Sequence, residues 1–216
     1  MLLGHFGRYK IGASRLGRPR LQPRTAPRVQ LALPWAADPL LIVDAISIRV
    51  RATSPGSLLI PEFGILRGTS RIDLALFDES IDGWEVKGDL DDESRLPRQA
   101  EAYNRIFDRV TLVAGPRSAA RCERLVPPWW GVSIATHGGI DTIREPGQNP
   151  SCEPVEIADL LWRDELVAAL LAVTGRPGRG SRRAMAERLG AEITGPALTA
   201  LVAASIRART GWRSAA

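Results

Sequence analysis

The sequence is poor in the residues that build disulfide scaffolds and histidine-bound metal sites. Its 216 residues include two cysteines, Cys122 and Cys152, and two histidines, His5 and His137. Two cysteines are too few for a disulfide scaffold or a zinc cluster, and two histidines leave little scope for histidine-based catalysis. This cysteine usage fits a reducing compartment, so we expect a cytoplasmic protein.

Long hydrophobic runs are also lacking. No run approaches the roughly 18 apolar residues that a membrane-spanning helix needs, and no signal-peptide pattern begins the chain. We therefore expect no membrane association. The composition, with 44% hydrophobic and 25% charged residues, is typical of a globular protein with one good-sized core.

Lysine is the scarcest charged residue. The 29 basic residues comprise 27 arginines and two lysines, Lys10 and Lys87. A compact ammonium and a planar guanidinium are not interchangeable in their chemistry. A lysine in the middle of such an arginine-biased chain is therefore informative, and Lys87 becomes a candidate functional residue.

Charge is distributed unevenly along the chain. Residues 1–37 carry seven basic and no acidic residues, residues 38–173 carry 14 basic and 22 acidic residues, and residues 174–216 carry eight basic and two acidic residues. Basic flanks attract polyanions, whereas an acidic centre repels them unless a metal is bound. The distribution suits a metal-dependent enzyme acting on nucleic acid, and it suits a neutral protein with solvated basic ends equally well.

Composition and periodicity divide the chain into three parts. Residues 1–34 are rich in Arg, Pro and Gly without apolar periodicity, which predicts a disordered basic tail. Residues 35–147 are predicted to be an α/β core, and residues 148–216 a helical C-terminal appendage. The predicted elements are a helix over 38–54, strands over 58–65, 71–77 and 83–88, a helix over 94–110, a strand over 110–114, a helix over 117–125, a strand over 131–136, and helices over 155–173, 179–189 and 196–209.

Residues 71–87 (RIDLALFDESIDGWEVK) consist of two apolar runs joined by a polar connection, which predicts a β-hairpin. Alternation along a strand places Glu85 and Lys87 on one face and Val86 on the other. A loop centred near residue 79 or 80 puts Asp73 opposite a residue close to 85–87. Two carboxylates beside an ammonium suit Mg²⁺, which prefers hard oxygen ligands. The alternative is a surface hairpin with scattered charges.

The helix that follows this hairpin carries Gln99 and Tyr103 one turn apart on its apolar face. A buried amide without a partner costs roughly 1–3 kcal/mol, so Gln99 must bond to another group. Because the helix should pack across the sheet, we expect both side chains near the acids. A structural amide bonded to the backbone is the alternative. Glu62, just upstream of the hairpin, is a further candidate acid.

Together these residues resemble the PD-(D/E)XK nuclease superfamily. The resemblance rests on Asp73, on the run Glu85-Val86-Lys87, and on a Q-x-x-x-Y helix like that of the RecB-type branch. Ile72 stands where the family name has proline. The wider sequence, including the segments LLWRDE and RRAMAERL, is similar to an uncharacterised group of bacterial proteins, so the resemblance covers about residues 38–213.

The resemblance implies a restriction-endonuclease-like fold, in which helices flank a mixed central sheet. It implies that Asp73, Glu85 and the Val86 carbonyl are ligands of Mg²⁺, for which Mn²⁺ is the expected substitute. Glu62 would match the upstream acid that helps to bind a second metal. Whether the site holds one metal or two stays open.

The resemblance also implies roles for the remaining residues. Lys87 would position the attacking water or stabilise the pentavalent phosphate, and Gln99 and Tyr103 would brace the site or the bound strand. The implied activity is Mg²⁺-dependent hydrolysis of phosphodiester bonds in nucleic acid, with DNA as the expected substrate. A protein partner or a homo-oligomer is left open. The alternative is a non-catalytic nucleic-acid-binding or assembly subunit of a repair, defence or mobile-element complex that keeps the nuclease fold.

Overall fold

The computed structural model describes residues 38–210. The basic tail predicted over residues 1–34 lies outside the described residues. Helix α1, Pro39–Thr53, begins as the sequence predicts, because the Asp38 side chain accepts a hydrogen bond from the Leu40 N–H and Pro39 fills the first helical position.

Six strands form one mixed sheet whose spatial order follows the chain. The first three strands are antiparallel neighbours, the third to fifth run parallel, and the sixth returns antiparallel to the fifth. The strands are β1 Leu58–Ile65, β2 Ser70–Phe77, β3 Ile81–Lys87, β4 Arg109–Ala114, β5 Gly131–Thr136 and β6 Gly139–Arg144. Strand β1 lies at the edge of the sheet, as the presence of Pro61 within it predicts.

Helices cover both faces of this sheet. Helix α1 packs on one face through Ile42, Ile46 and Val50, and the other helices pack on the opposite face. Those helices are α2 Leu96–Asn104, α3 Ala119–Glu123, α4 Pro154–Ala158, α5 Arg163–Thr174, α6 Arg182–Glu192 and α7 Gly195–Arg207. The sequence predicts an α/β fold in which helices flank a mixed sheet, and the structure confirms this prediction.

The C-terminal helices share the hydrophobic core of the sheet. Leu166, Leu189 and Val202 are buried in the same cluster as Phe77 and Leu112 of the strands. The division between a core over residues 35–147 and a helical appendage over residues 148–216 stays a prediction. Within residues 38–210, none of the helices is long and apolar enough to cross a membrane.

The predicted hairpin is confirmed as β2 and β3, joined by residues 78–80. Leu74 pairs with Trp84, so continuing the register brings Asp73 opposite Glu85. The backbone ladder between the two strands ends at the Leu74–Trp84 pair. The two acids therefore lie just beyond the last paired residues, where the strands separate.

Two predicted helices have the wrong bounds after the hairpin. The helix over 94–110 ends at Asn104, because the N–H groups of Ile106 and Phe107 both bond to the Tyr103 carbonyl and β4 follows at Arg109. Ile106 and Phe107 are nonetheless buried. Because these loop residues continue the apolar spacing of α2, the sequence pattern predicted a helix that was too long. The helix predicted over 117–125 is shorter, and spans only α3.

The single helix predicted over 155–173 is wrong, because the structure has α4 and α5 separated by residues 159–162. The Glu165 side chain accepts a hydrogen bond from the Trp162 N–H and so starts a new helix. Strand β6 was not predicted. Its signal was the His137-Gly138 turn after β5, followed by a short alternating run.

Candidate active site

Five side chains meet where β2 and β3 separate beneath α2. Asp73 comes from β2, Glu85 and Lys87 come from β3, and Gln99 and Tyr103 come from α2. We call these five residues the carboxylate cluster. The structure thus brings together five of the six side chains that the sequence nominated, including both members of the Q-x-x-x-Y pair.

Glu85 is the centre of the hydrogen-bond network in this cluster. Its Oε1 accepts hydrogen bonds from Lys87 Nζ at 2.6 Å and from Gln99 Nε2 at 2.7 Å, and its Oε2 lies 2.7 Å from the Tyr103 hydroxyl. Only 1% of Glu85 is exposed. A buried carboxylate without partners would cost several kcal/mol. These three donors therefore account for how a charged group is tolerated here.

Tyr103 is held from three sides. Its hydroxyl lies 2.6 Å from the Arg71 carbonyl as well as near Glu85, and its ring stacks on Trp130 with the centroids 6.0 Å apart. Burial, reinforced by the Glu85 charge, raises the pKa of the Tyr103 phenol well above its usual range. The phenol therefore stays protonated and serves as a hydrogen-bond donor.

Asp73 is the acid of the cluster whose ionised form is disfavoured by its surroundings. Its Oδ2 accepts a hydrogen bond from the Val86 N–H at 2.6 Å. Burial, followed by repulsion from Glu85, raises the pKa of Asp73 from its ordinary 3.8 to about 7, although the Val86 bond and Lys87 oppose the rise. The ionised form is therefore one that an added cation would stabilise.

The oxygen atoms at this position are of the chemical type that Mg²⁺ prefers. Asp73 and Glu85 supply carboxylates, and the Val86 carbonyl faces the same strand edge as the Val86 N–H that bonds to Asp73. Gln99 Oε1 is buried with no hydrogen-bond partner in the structure. Mg²⁺ is commonly held by one or two carboxylates and keeps several waters, one of which this orphan acceptor could bind.

The number of acids at the site is limited. Within the described part of the chain, no group of three or more His, Cys, Asp or Glu side chains is arranged to hold a metal. A cation at the carboxylate cluster would therefore depend on two carboxylates, backbone oxygen and water. Such a set fits a partly hydrated magnesium ion better than it fits a closed, all-protein cage.

Glu62 lies on β1 at the position opposite Asp73 in the register, and its backbone has a positive φ of 51°. Its side chain is 54% exposed and forms an ion pair with Arg71. The Glu62 charge contributes to the raised pKa of Asp73, but only as the smallest of the causes. Its role as a metal ligand stays a prediction.

Sequence reasoning missed the backbone groups that hold the cluster together. The Val86 N–H and the Arg71 carbonyl are not visible in a side-chain pattern, because they become available only where the two strands separate. Gly83 was an available signal. A Cβ there would overlap the Ile72 side chain and crowd Phe107, so glycine in this strand marks close packing beneath the site.

Removing the Tyr103 hydroxyl tests its structural role. The Tyr103→Phe protein is expected to be less stable by about 2 kcal/mol, because the hydroxyl that lies between the Arg71 carbonyl and the buried Glu85 oxygen, and donates its one proton to one of them, is lost. Urea unfolding of the two proteins measures this difference. Ser205→Ala is the control, since the Ser205 hydroxyl donates to the Leu201 carbonyl of its own helix. Equal stability of Tyr103→Phe and wild type would contradict the network.

The raised pKa of Asp73 predicts a pH-dependent effect of Asp73→Asn. Between about pH 4 and pH 7 the folded wild-type protein retains a proton that the unfolded chain has lost, so stability falls as pH rises through this window. At about pH 8 without metal, Asp73→Asn should be more stable than wild type by about 2 kcal/mol, which allows for solvent screening. At about pH 4 the two proteins should be similar.

Urea unfolding in EDTA at both pH values measures this difference. Burial also raises the pKa of Asp82, to about 6, but Asp82 is present in both proteins and its effect cancels. Asp44→Asn is the control, because Asp44 is exposed on α1. A difference between wild type and Asp73→Asn that does not change with pH would be inconsistent with the raised pKa.

A sequence model of the family described as Bacteriophage P4 protein cII matches residues 41–215. The chain belongs to the bacteriophage P4 protein cII family. The matched span contains the whole carboxylate cluster together with every helix and strand from β1 to α7.

Individual relatives match over shorter stretches. Protein cII of Enterobacteria phage P4 is 30% identical over 74 residues, which is 34% of this chain and 28% of the phage protein. The chain thus matches less than a third of the length of that relative. Among solved structures, the SPO1766 protein of unknown function from Silicibacter pomeroyi is similar over 51% of this chain and 73% of its own, with 19% identity and a TM-score of 0.41.

Proposed function

We propose that this member of the cII family is a Mg²⁺-dependent phosphodiesterase that hydrolyses nucleic acid, with DNA as its expected substrate. The observation that carries the proposal is the carboxylate cluster itself. Two acids lie just beyond the end of the β2–β3 ladder, with a lysine beside them. Gln99 and Tyr103 bond to one of these acids, so that the five residues form one connected network. This is the arrangement that the PD-(D/E)XK resemblance requires, and its members come from three separate elements.

Asp73, Glu85 and the Val86 carbonyl are the groups that would hold the metal. A bound Mg²⁺ supplies positive charge for the phosphate and lowers the pKa of a nearby water. The desolvated Asp73 carboxylate and its neighbour Glu85 repel each other, so together they favour a divalent cation. The raised pKa of Asp73 therefore supports a metal-binding role more than a structural one.

Lys87 is the residue that we assign to the attacking water. Its side chain is 11% exposed and its Nζ is fixed 2.6 Å from Glu85 Oε1. An ammonium has three donors, so one bond to Glu85 leaves others for a water or a phosphate oxygen. A guanidinium is larger and planar, so it would present its donors to Glu85 in a different geometry. The presence of a lysine here, in a chain with 27 arginines and two lysines, agrees with this assignment.

Gln99 and Tyr103 act as positioning residues in this proposal. Gln99 Nε2 bonds to Glu85 and lies 3.3 Å from the Tyr103 hydroxyl, so the two side chains fix both Glu85 oxygens. A carboxylate held in this way keeps its orientation when a metal or phosphate binds, and supporting contacts of this kind tune ligands in metal sites. Neither side chain needs to contact the reacting phosphate.

The finer fold assignment belongs to the same proposal. The order of the mixed sheet, with its acids where β2 and β3 separate, supports a restriction-endonuclease-like core. We also propose a cytoplasmic location, on the basis of two free cysteines and no disulfide between them. A protein partner or a second copy of the chain is compatible with this activity.

A second candidate function is a nucleic-acid-binding or assembly subunit that keeps the fold without turnover. One observation favours it: both Glu85 oxygens are already bonded by side chains of this chain, one of them by Lys87 itself. Magnesium titration calorimetry separates the two candidates. No magnesium binding together with tight DNA binding would favour the non-catalytic subunit.

The direct test is a cleavage assay with Mg²⁺ or Mn²⁺ on single-stranded DNA, double-stranded DNA and RNA. Wild-type protein is compared with Asp73→Ala and Lys87→Ala. We expect metal-dependent cleavage by the wild type and none by either variant. Metal-dependent cleavage that survives both substitutions would rule out this active site.

A further inference from the structure

A groove of about 580 Å³ runs along α2 beside the carboxylate cluster. One wall is the stretch from Ser94 to Arg105. The other is formed by Thr69, in the connection between β1 and β2, and by Ser70, the first residue of β2. Three arginines line it: Arg95, Arg98 and Arg105. We call this feature the arginine groove.

Two of these arginines are available to a ligand. Arg95 and Arg98 are exposed, and within residues 38–210 neither forms an ion pair. Arg105 differs, because it is bonded to Glu153 and to Glu156. Glu101 is the acid in the lining, and it is exposed on the next turn of the helix. The lining thus carries two guanidinium groups outside ion pairs and one exposed acid, Glu101, and the charge of Asp92 acts on Arg95 from outside the lining.

Gln99 connects the groove to the carboxylate cluster. It lines the groove, and its Nε2 bonds to Glu85 Oε1 at 2.7 Å. Arg95 lies one helical turn before Gln99, about 6 Å along the helix axis, and Arg98 is its immediate neighbour. A ligand held by these arginines would therefore extend directly towards the acids.

The charge of the surrounding chain makes this arrangement informative. Residues 38–173 carry eight more acidic than basic residues, so a polyanion approaching the buried acids meets net repulsion. Unpaired guanidinium groups beside the acids would offset that repulsion locally. Guanidinium groups bind phosphate well because their planar donors match its oxygens.

We propose that the arginine groove binds the phosphate backbone of the nucleic-acid strand that the carboxylate cluster hydrolyses. This inference rests on the proposed function, since it assigns the substrate path to the same site. Arg95 and Arg98 make the phosphate contacts, and the Thr69 and Ser70 side of the groove faces the bound strand. The contacts are to the backbone, so binding is independent of base sequence.

The test uses the full chain in EDTA, where metal-dependent cleavage is absent. Fluorescence anisotropy measures the affinity for a labelled single-stranded DNA at several salt concentrations, for wild type and for the double variant Arg95→Gln/Arg98→Gln. Loss of two phosphate contacts should weaken binding about tenfold and lower the slope of log affinity against log salt by about 1.5.

The matched control is Arg49→Gln/Arg51→Gln on α1. These two arginines are also exposed and also form no ion pair among the described residues, so the control removes the same charge at another place. It should change affinity by less than about twofold. All the substituted side chains are exposed, so the thermal stability of both double variants should match wild type.

The outcomes separate the groove from the chemistry. Equal weakening by the two double variants, or none by either, overturns the groove as the substrate path even if cleavage is observed. Selective weakening by Arg95→Gln/Arg98→Gln supports it. If that selective effect is found while no cleavage occurs with any metal or substrate, the phosphodiesterase proposal fails and the assignment of a hydrolysed strand fails with it.

Discussion

The Asp73→Asn protein is expected to cleave DNA in the presence of Mg²⁺ at least about a hundredfold more slowly than the wild-type protein. The substitution removes one of the two carboxylates that would hold the metal. It retains an Oδ1 atom that can accept the Val86 N–H, so the end of the hairpin should keep its geometry. The loss should therefore be one of chemistry, without unfolding.

Two measurements make this result specific. Calorimetry should show weaker Mg²⁺ binding by Asp73→Asn, and circular dichroism should show an unchanged fold. The control Asp44→Asn removes an exposed acid from α1 and should cleave like wild type. Cleavage by Asp73→Asn within twofold of wild type would mean that the acid is not part of the reaction, or that a contaminating nuclease is responsible.

The second large effect is expected from Lys87→Met. Lys87 and Glu85 form an ion pair at 2.6 Å, with 8% and 1% of the two residues exposed. Removing one partner leaves a buried charge uncompensated, which typically costs about 3–5 kcal/mol. We expect Lys87→Met to lose stability of this order in urea unfolding, and to lose cleavage activity as well.

A second substitution tests the cause of the stability loss. In the double variant Glu85→Gln/Lys87→Met the buried charge is gone, so most of the stability should return. Cleavage should stay absent, because the same variant also lacks one of the carboxylates that would hold the metal. Glu192→Gln, which removes an exposed acid from α6, is the control and should change neither property. A double variant that is no more stable than Lys87→Met would contradict the uncompensated Glu85 charge as the cause of the loss.

Local sequence patterns predicted a large part of the carboxylate cluster. Alternation placed Glu85 and Lys87 on one face, and the position of the loop placed Asp73 opposite them. Helical spacing placed Gln99 and Tyr103 together. These are short-range consequences of strand and helix geometry, so a sequence reveals them without knowledge of the fold.

The prediction of helix bounds failed where buried loop residues imitate a helical period and where one helix ends and another begins. Ile106 and Phe107 are buried in a loop, and the long apolar stretch after residue 154 bends at 159–162 to start α5. In the first place burial of loop residues imitates a helical period. In the second a local cap between Trp162 and Glu165 interrupts an apolar stretch whose spacing predicts one helix.

By itself, the sequence determined which residues share a strand face and a helix face, and hence the composition of the carboxylate cluster. Only the tertiary structure decided that the ladder ends between Leu74 and Asp73, that Glu62 pairs with Arg71, and that Asp73 is desolvated. The physical reason is that desolvation and ion pairing depend on what packs around a group. Those neighbours come from β1, β3 and α2, whose approach is fixed by the fold as a whole.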